Sequence, residues 1–64
     1  MGNGGKRIAE IRAELGWSQA KFAEKLHVTR ETVSRWERGQ TSPKYDYVNA
    51  AEKLLARHSK RAVI

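Results

Sequence analysis

Residues 18–39 read SQAKFAEKLHVTRETVSRWERG, and their reading decides the fold. They form two short amphipathic segments joined by a tight corner. In the first, Ser18 is a good N-cap, because its hydroxyl can accept from a free N–H of the opening turn. Phe22, Ala23 and Leu26 then recur at helical spacing and point inward. His27 and Val28 make a very short corner. In the second segment Thr29 is the N-cap, Val33 and Trp36 face inward, and Gly39 supplies the stop.

The same helical period continues on both sides. Upstream, from Lys6, Ile8, Ile11 and Leu15 fall at i, i+3 and i+7. Gly16 ends that first helix as a left-handed C-terminal cap, and Trp17 bridges to Ser18. Residues 1–5, MGNGG, carry three glycines and no apolar anchor, and read as a flexible leader. Downstream, residues 40–42 are a polar loop. Ser42 followed by Pro43 is a helix-start signal, cap residue first and proline in the first turn. A fourth helix is expected from about Lys44 to Arg57 or His58, with Tyr47, Val48, Ala51, Leu54 and Leu55 as its apolar positions. Residues 59–64, SKRAVI, are a basic and then apolar tail. No strand pattern or repeat appears. The expected fold is all-α: a compact bundle of four short helices, with room for a fifth, and a central helix-turn-helix within a domain at 6–58.

Size and composition narrow the rest. At 64 residues the chain is one domain that buries only about 60% of its unfolded surface. It has no cysteine, so no disulfide or thiolate zinc site can staple it, which fits a reducing cytosol. There is no apolar run long enough for a membrane span and no secretion signal, so the chain reads as soluble and intracellular. Thirteen Lys and Arg against seven Asp and Glu leave a net charge of +6, which favours a polyanionic partner. Many small basic proteins bind no polyanion, so the placement of the charge carries more weight than its sum.

That placement is informative on the third helix. At 100° per residue, Val33 and Trp36 take one side, while Glu31, Ser34, Arg35 and Arg38 project from the other; Arg30 stands at the exposed N-terminal end. Arg matches guanine O6 and N7 bidentately, Glu accepts from a cytosine amino group, and Ser takes either role. A plainer reading stands beside this one. Glu31 and Arg35 are spaced i, i+4 in the favourable order, and as a surface ion pair they would contribute only about 0.3–0.5 kcal/mol.

Arg12, Gly16, the run Trp17-Ser18-Gln19, Phe22-Ala23, Leu26, Val28, the run from Thr29 to Glu37, Gly39 and Pro43 together resemble the lambda-repressor and Cro-like helix-turn-helix family, also called the xenobiotic-response-element family. The resemblance covers roughly three quarters of the chain. It implies a sequence-specific double-stranded DNA-binding transcriptional regulator, in particular a repressor, that places the third helix in the major groove. It implies base contacts from Arg30, Glu31, Ser34 and Arg35, and backbone contacts from Gln19, Arg38, Gln40, Thr41 and Lys44. It also implies that Arg12 and Glu37 form a structural ion pair tying the first helix to the end of the third. A cytoplasmic, nucleoid-associated setting in a prokaryote or phage follows from the same likeness. No cofactor, metal or small-molecule substrate is implied.

Two departures stand out. His27 occupies a corner where the family usually has glycine, so a positive φ there would carry some strain. Relatives commonly add a fifth helix after the fourth, and this sequence ends within a few residues. The wide apolar arc of the fourth helix matters for that reason. Val48, Ala51 and Leu55 should close the core. Tyr47 and Leu54, with Val63 and Ile64, are the expected contact of a homodimer on a near-palindromic operator, although half-exposed apolar residues are common on small domains. Catalysis is not expected. His27 and His58 are far apart, and no phosphate loop or paired-carboxylate motif is present. The alternative from another class is a protein-interaction module of the same fold, such as an antitoxin or adaptor. The outer face of the third helix argues against it, since it lacks the apolar or aromatic anchors that protein interfaces favour.

Overall fold

The computed structural model describes residues 3–58 as four helices: α1 (Asn3–Leu15), α2 (Gln19–Leu26), α3 (Arg30–Arg38) and α4 (Tyr45–His58). Their boundaries follow from local chemistry. Ser18 Oγ accepts from the Lys21 N–H at 3.1 Å, and Thr29 Oγ1 accepts from the Thr32 N–H at 3.1 Å; each meets a donor that its helix leaves free. Three residues in left-handed conformation close α1, α2 and α3, namely Gly16 at φ 72°, His27 at φ 63° and Gly39 at φ 81°. After each of the last two, the next N–H reaches back to a carbonyl five residues earlier: Val28 to Ala23 at 3.0 Å and Gln40 to Arg35 at 2.9 Å.

Helix α1 packs on α3 and α4, α2 packs on α3, and α2 makes a smaller contact with α4. The core they enclose consists of Ile8, Ile11, Phe22, Ala23, Leu26, Val33, Trp36 and Ala51. Every helix contributes to it. Burying each of the larger of these, Ile8, Ile11, Phe22, Leu26 and Val33, stabilises by about 1.5–3 kcal/mol.

Three expectations need correction. Helix α1 begins at Asn3, before Lys6, so Gly4 and Gly5 are helical and not part of a flexible leader. The reason is close approach. A Cβ on Gly5 would overlap the Trp36 carbonyl, and one on Gly4 would come within 3.0 Å of the Pro43 ring. Glycine here lets the start of α1 lie against the end of α3. Pro43, in turn, is buried and sits in the loop before α4, not in its first turn. Lys44 opens that helix instead, its carbonyl accepting from Tyr47 N at 2.9 Å and Val48 N at 3.2 Å.

The third correction concerns the apolar arc of α4, which is not spare. Tyr47, Ala50, Leu54 and Leu55 all pack against the core, and the Tyr47 ring lies 5.3 Å from that of Trp36. With so small a core, the bundle uses both edges of its last helix. Val63 and Ile64 lie outside the described residues.

Candidate nucleic-acid interface

Helix α3 is anchored by its inward side. Val33 is fully buried and Trp36 is 5% exposed, so rotation about the helix axis is fixed and the polar side must face out. Arg30, Glu31, Ser34, Arg35 and Arg38 line one open concavity, together with Gln40 from the following loop. Among the described residues, no side-chain hydrogen bond occupies Arg30, Ser34, Arg35 or Arg38. Glu31 and Arg35 are 3.8 Å apart with side chains 77% and 56% exposed, a loose pair beyond hydrogen-bond range. Their donors and acceptors stay available to a ligand.

The orientation of α3 relative to α1 and α2 is held by a polar tie. Arg12 Nε and Nη2 grip the two carboxylate oxygens of Glu37 at 2.7 and 3.0 Å, and Arg12 Nη1 donates to the Trp17 carbonyl at 3.0 Å. Gln19 Nε2 donates to Glu37 Oε1 at 3.0 Å. One carboxylate on α3 thus holds Arg12 of α1 and the first residue of α2, and Arg12 in turn holds the α1–α2 link. Burial works to raise the Glu37 carboxyl, but the hydrogen bonds from Arg12 and Gln19 and the Arg12 charge outweigh it, leaving its pKa below the usual value. The bond to Glu37 raises the pKa of Arg12.

The structure therefore places the expected site residues in distinct settings. The four expected base readers share the concavity, and so do Arg38 and Gln40. Thr41 and Lys44 are exposed in the loop outside it. Gln19 is half-buried, and its amide is engaged by Glu37 instead of projecting freely. That contact joins residues 18 apart, so no local pattern announces it.

Other contacts lie outside the expected site residues. Arg7 pairs with Glu52 through bonds of 2.6 and 2.8 Å, clamping α1 to α4 across 45 residues. This bond holds the Glu52 carboxyl below its usual pKa, against the opposing effect of burial. Lys21 and Lys25 sit over the Trp17 ring at 5.1 and 6.0 Å, and their spacing from it, one and two turns on, was a signal in the sequence. Tyr45 is 77% exposed at the start of α4.

Comparison with known proteins agrees with this geometry. The sequence profile of a family described as "Helix-turn-helix" matches residues 8–59. An uncharacterised HTH-type transcriptional regulator of Methanothermobacter thermautotrophicus is 38% identical over 50 residues, covering 78% of this chain and 72% of the relative. The uncharacterised HTH-type transcriptional regulator YgzD of Bacillus subtilis is 43% identical over 37 residues, 58% of this chain and 56% of its own. A protein of Pyrococcus furiosus, provisionally named an HTH-type transcriptional regulatory protein, is 33% identical over 51 residues, 80% of this chain but 16% of its own length. The chain thus spans less than two thirds of the latter two relatives. No solved structure matches it at a significant level.

Proposed function

The chain belongs to the lambda-repressor and Cro-like helix-turn-helix family, and from that membership we propose that it binds a specific double-stranded DNA sequence and represses transcription there. The observation that carries this reading is the outer side of α3, where three guanidinium groups free of hydrogen bonds, a hydroxyl and a carboxylate line one concavity, with Arg35 and Glu31 only loosely paired. In the proposed mechanism α2 lies across a phosphate strand and aims α3 into the major groove. Arg38, Gln40, Thr41 and Lys44 hold the backbone, and counterion release by the cations supplies affinity independent of sequence. Arg30, Glu31, Ser34 and Arg35 select the bases. Gln19 sits at the start of α2, where a phosphate can approach the first N–H groups while its side chain remains on Glu37.

Two copies on DNA would set half-sites about 34 Å apart and demand a near-palindromic operator. Since Tyr47 and Leu54 are half-buried against the core, that pairing would use their exposed edges. A DNA-bound repressor of this kind works in the cytoplasm on the nucleoid. The test is selection of bound duplexes from a random pool. The expected result is an enriched motif with two-fold symmetry. Recovery of unenriched DNA would refute specific recognition, and an asymmetric motif would refute the dimer.

A further inference from the structure

We infer that Arg35 and Glu31 act as one reading unit for adjacent G·C pairs, Arg35 donating to guanine O6 and N7 and Glu31 accepting from the N4 amino group of a neighbouring cytosine. This rests on the DNA-binding reading above and concerns what that site selects. The concavity holds an unequal set of donors and acceptors. Arg30, Arg35 and Arg38 supply donors, Glu31 supplies acceptors, and Ser34 is indifferent. Adenine is best read by a carboxamide that meets N6 and N7 together. The one carboxamide here, Gln40, lies beyond the end of α3. The helix therefore has good chemistry for guanine and cytosine and none of the bidentate kind for adenine.

Glu31 is 77% exposed on the side of α3 that must approach a polyanion, where phosphate repels it. Arg35 at 3.8 Å offsets that repulsion in part, and a base that donates to the carboxylate offsets it further. In the major groove the donors are adenine N6 and cytosine N4. Adenine sets its N7 acceptor beside N6, which repels the second carboxylate oxygen. Cytosine presents no acceptor there, so cytosine wins.

Four residues along α3 amount to about 6 Å of rise, more than the roughly 3.4 Å between successive bases. Glu31 and Arg35 nevertheless converge to 3.8 Å at their tips. They straddle a base step with opposite charges, each partly neutralising the other as water leaves.

The experiment is selection from random duplexes with the unaltered chain, Glu31→Gln and Arg35→Ala, with circular dichroism confirming that each exposed-site variant stays helical. The unaltered chain should enrich guanine and an adjacent cytosine, each preferred roughly tenfold or more. Glu31→Gln should move the cytosine position to adenine and keep the guanine, because a carboxamide fits adenine N6 and N7. Arg35→Ala should erase the guanine preference. An A·T step at the centre of the half-site, or a cytosine that persists in Glu31→Gln, overturns the inference while leaving DNA recognition standing. If no motif is enriched at all, the DNA-binding reading falls and this inference with it.

Discussion

His27 shows how much a single backbone angle decides. It closes α2 at φ 63° and ψ 40°, a conformation in which the Cβ of an L-residue crowds the following carbonyl. Glycine carries no such crowding, though it loses more freedom on folding, so the net gain from His27→Gly should be about 0.5–1 kcal/mol. A denaturant midpoint that rises with an unchanged slope would bear this out; one that falls would mean the imidazole makes a contact outweighing its strain. Arg35 matters differently. It stabilises little in the free protein, since its partner Glu31 is exposed and 3.8 Å away. Arg35→Ala should cost about 1–3 kcal/mol on the selected operator with little change on random DNA, measured by equilibrium binding at fixed salt. Equal losses on both would make Arg35 a phosphate contact.

At the scale of elements, the start of α1 depends on a close backbone approach. Alanine in place of Gly5 would gain about 1 kcal/mol of helix propensity. The added Cβ, however, meets the Trp36 backbone and not the end of a flexible side chain. Overpacking of that kind costs about 1–3 kcal/mol, so Gly5→Ala should destabilise despite the better helix former. Higher thermal stability of that variant would show that α1 does not approach α3 so closely. The tie from α3 to α1 and α2 gives a prediction in pH. Glu37 has a folded pKa below its reference value of 4.5, so the unfolded chain binds more protons in the interval between the two. Its stabilisation is complete above about 4.5 and is lost as pH falls through the folded value. Glu52 acts in the same direction. Unfolding midpoints should therefore drop as pH falls from about 4.5 through the folded values, and less steeply in Glu37→Gln, which keeps the Glu52 contribution. An unaltered slope would mean that Glu37 is not held by Arg12 in solution.

For the molecule as a whole, a net charge of +6 becomes useful by being placed beside a geometrically fixed helix. Lys44 stands exposed outside the concavity, so Lys44→Ala should weaken binding to all DNA alike and reduce the salt slope by about one. A slope that does not move would leave Lys44 facing solvent. Much of this arrangement was legible locally. The caps at Ser18 and Thr29, the stops at Gly16 and Gly39, the inward positions of α2 and α3, and the outward side of α3 are all written within a turn or two of each residue. Periodicity and capping act over three or four residues, which is the range a sequence displays. What the chain alone left undetermined was whatever depends on two distant backbones meeting. The glycines at 4 and 5 look like a leader until Trp36 and Pro43 are laid against them, and Pro43 looks like a helix start until the loop buries it. Gln19 looks free until Glu37 claims its amide, and the outer edge of α4 looks spare until the small core draws in Tyr47 and Leu54. The sequence by itself determined four helices and the chemistry each presents. Only tertiary packing decided which of those groups remain uncommitted, because burial and pairs such as Gln19–Glu37 and Arg7–Glu52, 18 and 45 residues apart, leave no periodic trace in the chain.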